Sequence, residues 1–143
     1  MLWSRWKDQK VERWKVVRYM KLQSYKEFTV WQKAMDLAVE VYSLVKKLPK
    51  EELYGLSSQL RRAAISVPSN IAEGQGRNSA REFIKFLAIA RGSQCEVETQ
   101  LQLCIRLGYL SEEEAKAGLN LCEEVSKMLN SLIKKISSKM DGI

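Results

Sequence analysis

Residues 56–77, LSSQLRRAAISVPSNIAEGQGR, have the pattern of a helix although they contain a proline. The apolar residues of this stretch recur every three or four positions and form one continuous stripe: Leu56, Leu60, Ala63, Ala64, Val67 and Ile71. Pro68 lies inside the pattern, where it removes a backbone donor and crowds the carbonyl of Ala64, at a cost of about 3 kcal/mol. We therefore expect a kinked helix, in which tight packing of the surrounding small residues offsets the cost of Pro68.

A line of polar residues runs beside this apolar stripe. Steps of four, four and three place Arg62, Ser66, Asn70 and Glu73 on one face of the helix. Polar residues next to an apolar stripe predict hydrogen bonds between helices or between subunits. Three of them, with two residues of a later predicted helix, form the predicted structural polar stripe: Ser66, Asn70, Glu73, Ser93 and Glu96. Gly74-Gln75-Gly76 then predicts the end of the helix.

The same stretch carries a resemblance to a known family. The segment SVPSNIAEGQGR follows QLRRA, and REFIKFLAIARGSQCEVET comes after it. Together they resemble the small bacterial four-helix-bundle proteins of intervening sequences in large-subunit ribosomal RNA genes, also called the S23 family. The resemblance extends from about residue 25 to about residue 136.

This resemblance implies an all-α bundle that assembles into a ring, usually of five subunits. A looser likeness is to the accessory protein of diversity-generating retroelements. That likeness implies a basic five-fold ring that works with a reverse transcriptase and nucleic acid.

Composition indicates one globular domain. A chain of 143 residues can bury roughly two-thirds of the surface that its unfolded form exposes. Its apolar fraction of 45% and charged fraction of 29% are typical of folded proteins. A net charge of +7 favours an anionic partner if the basic residues cluster on one surface. The alternative is that the charge serves only solubility.

Cysteine content and hydropathy bear on the compartment. Cys95, Cys104 and Cys122 are an odd number of cysteines on predicted helices, which indicates reduced and buried thiols in a cytoplasmic protein. No apolar run reaches the roughly 18 residues of a membrane span. No signal-peptide pattern is present either. We therefore expect no membrane association.

Residues 1–24 differ in composition from the rest and form a basic, tryptophan-rich N-terminal extension. Residues 1–19 hold three of the four tryptophans and carry six basic residues against two acidic ones. One interpretation is a basic amphipathic helix that binds a membrane or RNA. The other is that Met20 is the natural start and that residues 1–19 are translated upstream sequence. We favour the second, because nothing in this segment matches the pattern of the bundle in residues 25–143.

Periodicity predicts four helices, packed antiparallel in up-down-up-down order because their connections are short. They should cover about 29–47, 56–74, 79–107 and 112–137. The predicted core of the first helix is Trp31, Ala34, Met35, Ala38, Val41, Tyr42, Val45 and Leu48. That of the third is Phe83, Phe86, Leu87, Ala90, Val97, Leu101, Cys104 and Leu107, and that of the fourth is Ala115, Leu119, Cys122, Val125, Leu129, Leu132, Ile133 and Ile136.

Local signals mark the ends of the later helices and one close contact. Ser79 with Glu82, and Ser111 with Glu114, have the spacing of capping boxes, and Gly108 is placed to end the third helix. The small pair Gly92-Ser93 lies in mid-helix, which predicts close approach of the second helix near Ser66.

Residues that could carry chemistry are few. The chain has no histidine, which removes the commonest general base and metal ligand. Gly74-Gln75-Gly76-Arg77 precedes a helix and could hold a phosphate, but a helix–helix turn accounts for it better. Ion pairs with nearby arginines account for Glu73, Glu96 and Glu98. The sequence therefore predicts no catalytic residues, no cofactor and no metal.

Two classes of function remain. The first is a homo-oligomeric ring, by the resemblance a pentamer, that binds RNA or DNA without reading bases. Its candidate contacts are Arg77, Arg81 and Lys85, with Arg61, Arg62 and Arg91 as further candidates. The second is a protein-interaction scaffold or accessory subunit that binds no nucleic acid, with a polymerase-like protein as one possible partner. The sequence does not decide between them.

Overall fold

The computed structural model describes residues 28–141, which are almost entirely helical. α1 spans Thr29–Val45, α2 Leu56–Gln75, α3 Ala80–Arg106 and α4 Glu112–Asp141. A short 3-10 helix, Lys50–Glu52, lies between α1 and α2, and no strand occurs in the described residues. The predicted all-α fold and its four helices are confirmed. The predictions for residues 1–24 lie outside this part of the chain.

The four helices form an antiparallel bundle. α1 packs against α2 and α4, and α3 also packs against α2 and α4. Because every connection is short, consecutive helices run in opposite directions, and α1 and α3 run the same way. We call the end with the α2–α3 turn the α2–α3 end. We call the other end, which holds the α1–α2 and α3–α4 connections, the α3–α4 end.

α2 contributes the apolar stripe that its sequence predicts. All six stripe residues are buried, from Leu56 to Ile71, and Pro68 is buried with them. The helix continues through Pro68 to Gln75. A Cβ on Gly74 would lie 2.7 Å from the Cβ of Phe86, so α2 and α3 approach closely near their turn. Tight packing around a small residue is therefore present at Gly74.

The buried face of α1 is rotated from the predicted one. Val30, Leu37 and Leu44 are core residues that the prediction missed. Met35 and Tyr42 were predicted to be buried, but 40% and 42% of their surfaces are exposed. Apolar residues cover more than half of this helix, so periodicity alone could not identify the arc that α2 and α4 cover.

Two further predictions about packing were wrong, and a third, the approach of α2 to Gly92-Ser93, holds for Ser93 alone. Leu107 is 50% exposed because it follows the last residue of α3 at the edge of the bundle. Cys95 is exposed because it lies on the side of α3 away from the core, whereas Cys104 and Cys122 are buried. Gly92 approaches no other described helix, since no described atom lies within 4 Å of where its Cβ would be. Its neighbour Ser93 makes the contact with α2 instead.

The predicted starts of α3 and α4 and the end of α3 are confirmed, whereas α4 ends at Asp141, four residues beyond the predicted end. The Ser79 hydroxyl accepts a hydrogen bond from the Glu82 amide, and the Ser111–Glu114 box is reciprocal, with both bonds at 3.0 Å. Gly108 has φ of 77°, a left-handed conformation that favours glycine. One cap was missed: the Glu52 carboxylate accepts a 2.9 Å hydrogen bond from the amide of Leu56, at the start of α2.

Candidate nucleic-acid interface

Three residues of the predicted polar stripe join α2 to α3. The hydroxyls of Ser66 and Ser93 share a hydrogen bond of 2.8 Å. The side-chain amide of Asn70 donates to the carbonyl and to the hydroxyl of Ser66, at 2.7 and 2.8 Å. These bonds lie within one chain. They supply the predicted polar contact between helices.

The two acidic residues of the stripe do not join this network. The Glu73 carboxylate pairs with Arg77 at 2.7 Å on the exposed side of α2. Glu96 is exposed and makes no ion pair with any described residue. Glu98 accepts a hydrogen bond from the buried Gln94. Of the predicted ion pairs with arginine, only the one at Glu73 forms within residues 28–141.

Burial raises the pKa of the two core thiols, Cys104 in α3 and Cys122 in α4. It raises the pKa of Cys122 to about 12, with a smaller contribution from the charge of Glu98. It also raises the pKa of Cys104 to about 11, with a smaller contribution from Glu52. Both thiols therefore stay protonated at neutral pH and act as small apolar core residues.

Arg77, the first candidate contact for nucleic acid, already has partners. Besides its ion pair with Glu73, its guanidinium lies 5.0 Å from the centre of the Phe86 ring, a cation–π distance. The pair is exposed, so solvent screens it and either side chain can exchange partners at little cost. Arg77 is therefore held at the α2–α3 turn with much of its charge compensated.

Arg81 and Lys85 are the candidates whose charge is uncompensated in the described structure. Both side chains are exposed, and neither forms an ion pair within residues 28–141. They lie four residues apart in the first two turns of α3 and so share one face. The positive end of the α3 dipole adds to their potential. These two residues form the centre of the candidate interface.

The remaining candidates lie elsewhere. Arg91 donates a 2.9 Å hydrogen bond to Asn130 on α4, so it points to another side of α3. Arg62 is fifteen residues before Arg77, which is roughly 22 Å along the helix, and Arg61 is half-buried beside it. The structure thus brings Arg77, Arg81 and Lys85 together and separates the other three from them.

The end of α4 adds basic residues that the sequence did not place at this site. The Arg91–Asn130 bond fixes the pairing of α3 with α4, so the last turns of α4 lie at the α2–α3 end. Lys134, Lys135 and Lys139 belong to those turns. The negative end of the helix dipole favours lysines in these turns wherever they lie, and no local signal shows which helix they lie beside. Together with Arg77, Arg81 and Lys85, they make this end basic.

The described surface offers little that resembles an active site. A concavity of about 460 Å³ beside the α2–α3 turn is wide open to solvent and is lined by Ser69, Ala72, Glu73, Gly76 and Arg77. Within residues 28–141, no three His, Cys, Asp or Glu side chains gather as metal ligands would. No described helix is long and apolar enough to cross a bilayer.

Comparison with known proteins agrees with the resemblance of the α2–α3 segment. The family described as 23S rRNA-intervening sequence protein matches residues 26–131. A solved structure from Bacteroides thetaiotaomicron, a protein of unknown function from the S23 ribosomal protein family, is 33% identical. It covers 74% of this chain and 99% of its own, with a TM-score of 0.70. No curated protein matches the chain. The chain therefore belongs to the 23S rRNA-intervening sequence protein family.

Proposed function

We propose that this protein is a non-catalytic, cytoplasmic homo-oligomer that associates with nucleic acid, RNA in the first place, through its α2–α3 end. One observation carries the proposal: Arg81 and Lys85 are exposed on one face of α3 and have no acidic partner in residues 28–141. The family supports RNA only by its description. The three free cysteines agree with a reducing compartment.

The contact would be electrostatic and would not read sequence. Lysine and arginine side chains that neutralise phosphates release counterions, so affinity falls as salt rises. Backbone amides in the first turn of α3 have no acceptor within the helix. They point towards the α2–α3 end and can also bind phosphate oxygens. Recognition of single bases needs stacking platforms or splayed loops, and the described α2–α3 end presents neither.

Assembly would strengthen a contact that is weak in one subunit. A ring whose axis runs along the bundle places every α2–α3 end on the same rim, so the basic residues repeat around it. Several weak contacts on one strand raise the overall affinity through effective concentration. The resemblance to the S23 family favours five subunits in such a ring.

Charge reversal at Arg81 and Lys85 tests the proposed interface. We expect the parent protein to retain RNA on a filter at low salt, with retention that falls steeply as salt rises. The Arg81→Glu/Lys85→Glu variant should stay folded and assembled, lose retention at low salt and show a shallower salt dependence. Single-stranded DNA, tested in parallel, shows whether the ribose hydroxyl contributes.

The matched control reverses two exposed lysines at the α3–α4 end. The Lys50→Glu/Lys116→Glu variant changes the net charge by the same amount as the test variant, so it should keep most of the retention. Equal loss in both variants would point to net charge alone. Unchanged retention in the Arg81→Glu/Lys85→Glu variant would place the contact elsewhere.

The second candidate function is a protein-interaction scaffold. Ion pairs compensate part of the basic charge, since Lys33, Lys47 and Arg77 each pair with a glutamate. Exposed apolar residues at the α3–α4 end, Leu53 and Tyr54, suit a protein partner such as a polymerase-like protein. If the parent protein fails to retain RNA or DNA at low salt, this function replaces the first.

A further inference from the structure

Exposed apolar side chains are unevenly distributed over the four helices. Met35, Val39 and Tyr42 form a stripe on the outside of α1, with 69% of the Val39 surface exposed; we call it the α1 stripe. α3 also carries exposed apolar residues on its outside, Ile89 and Leu103. α4, which is described in full, has no exposed large apolar side chain. Its outer face is polar: Lys116, Asn120, Glu123, Lys127 and Ser131.

Gly92 lies on the outside of α3, between Ile89 and Leu103. Glycine in mid-helix is less favourable than alanine by about 1 kcal/mol. No contact within the described chain requires it, because a Cβ there would meet nothing within 4 Å. With Glu96, these residues make the α3 outer face: Ile89, Gly92, Glu96 and Leu103. Gly92 leaves a shallow gap in that face.

The α1 stripe and the gap at Gly92 lie at the same height in the bundle. Gly118 on α4 packs against both Leu44 of α1 and Leu101 of α3, which are therefore level with each other. α1 and α3 run in the same direction and rise equally per residue. Counting back nine residues from Leu44 and from Leu101 leads to Met35 and to Gly92.

We propose that the α1 stripe of one copy packs on the α3 outer face of the next copy, with Met35 seated over Gly92. This inference rests on the homo-oligomer proposed above and names the surfaces that form it. α1 and α3 occupy opposite corners of the bundle, so one chain presents both halves of the contact on different sides. Such a heterologous contact closes into a ring when the rotation axis runs along the bundle.

A second copy is the occupant that these positions favour. Rotation about an axis parallel to the helices moves no residue along the bundle, so residues at equal height meet. Met35, one of the large exposed apolar side chains of α1, then faces the one residue of the α3 outer face that lacks a side chain. An unrelated partner would not require the two surfaces of one chain to match in height. The polar face of α4 would stay in solvent.

Two substitutions test the contact in the full-length protein, with sedimentation velocity at micromolar concentration as the measurement. Gly92→Leu adds a side chain where the subunit has open space, so the bundle should fold normally while the neighbour is blocked. Val39→Glu places a charge on a side chain that is already exposed. Each should weaken self-association by roughly 30-fold or more, the size of effect typical of central interface residues.

The controls introduce the same two side chains, leucine and glutamate, on α4. Ala117 of α4 is exposed and lies outside the proposed contact, so Ala117→Leu and Ala117→Glu should sediment like the parent. Circular dichroism and thermal melting establish that each variant is folded. Folded monomers for Gly92→Leu and Val39→Glu, with assembled controls, support the proposed contact.

Other outcomes overturn it in distinguishable ways. If the parent assembles and both test variants assemble equally well, the interface lies elsewhere, but the proposed homo-oligomer stands. If the parent is a monomer, the homo-oligomer and this contact both fail. A lower melting temperature of Val39→Glu in a monomeric parent would show that the chain's own upstream residues cover the α1 stripe.

Discussion

At the scale of single residues, two glycines of the α2–α3 region have opposite environments. Gly74 is buried in α2, where a Cβ would also lie 3.3 Å from the carbonyl oxygen of Phe83. Its sequence context indicated a helix end, but its main role is to let α3 approach. Gly92 was expected to permit such an approach and instead faces outwards. Which glycine serves packing depends on the rotation of each helix about its axis.

Alanine at Gly74 should destabilise the protein. The added Cβ would overlap the Cβ of Phe86, which is close to the backbone and cannot rotate away, so α2 and α3 must separate. We expect a loss of about 1–3 kcal/mol in the free energy of unfolding, the range for overpacked cores. Urea denaturation at one protein concentration measures it.

Gly76→Ala is the control for this substitution. Gly76 is exposed, and its Cβ would have only ordinary contacts, at 3.5 Å and beyond. We expect its unfolding free energy to stay within about 0.5 kcal/mol of the parent's, as for most surface substitutions. Equal stability of the two variants would show that α2 and α3 are not in the close contact described.

At the scale of the elements, the start of α4 shows how a local motif becomes a tertiary one. Ser111 and Glu114 satisfy each other's amides, as their spacing predicts. The same Glu114 carboxylate also binds Lys47 at 2.9 Å and so ties the end of α1 to α4. The Ser111 amide first, and then Lys47, lower the pKa of Glu114 to about 2.

This lowered pKa predicts an acid-dependent loss of stability. Because the pKa of Glu114 is about 2 in the folded chain and 4.5 ordinarily, its ionised form favours folding. The contribution is complete above about pH 4.5 and disappears as pH falls towards 2. Glu114→Gln should therefore be less stable than the parent at neutral pH, and the difference should shrink below about pH 4.5.

Urea denaturation across pH 2 to 7 measures the effect of Glu114→Gln. Glu113→Gln, in the same helical turn, is the control, because Glu113 is exposed and makes no ion pair with a described residue. Its stability relative to the parent should vary little with pH. If the difference in unfolding free energy between Glu114→Gln and the parent stays constant from pH 2 to 7, the pKa of Glu114 is not lowered as described.

At the scale of the whole molecule, exposed basic side chains are unevenly distributed along the bundle. The α2–α3 end gathers six basic residues: Arg77, Arg81, Lys85, Lys134, Lys135 and Lys139. The α3–α4 end mixes lysines such as Lys50 and Lys116 with Glu51, Glu52 and the three glutamates that begin α4. The basic rim of the proposed ring depends on this concentration of basic residues at the α2–α3 end. Association with nucleic acid is therefore tied to the assembly.

Residues 1–19 are predicted to lie outside the functional bundle. The family match begins at residue 26, and the described bundle has a complete set of four helices without them. A chain that begins at Met20 should keep the melting temperature and the sedimentation behaviour of the full chain. A fall of several degrees, which corresponds to about 1 kcal/mol, would show that the upstream tryptophans pack against the bundle.

RNA retention by the shortened chain separates the two interpretations of this segment. If residues 1–19 form a basic amphipathic helix that binds RNA, their removal should lower retention while folding and assembly stay unchanged. If they are translated upstream sequence, retention should match that of the full chain. Sedimentation and retention are measured on the same preparations, so a loss of assembly cannot be mistaken for a loss of binding.

The sequence by itself determined the four helices, the starts of α3 and α4, the end of α3 and the buried stripe of α2. These features depend on interactions within a few residues: apolar spacing, the Ser–Glu capping boxes and a glycine at a left-handed position. The exposure of Arg81 and Lys85 was also predictable, because they lie on a polar face near a helix start. Those parts of the candidate site needed no knowledge of other helices.

Only the tertiary structure decided the rest. It set which arc of α1 is buried, placed the Arg77 guanidinium over the Phe86 ring and brought the end of α4 to the basic surface. It also left Gly92 facing outwards. Each of these depends on the rotation of a helix about its axis and on its register against a neighbour. Packing of all four helices fixes both quantities at once, and no local pattern contains them.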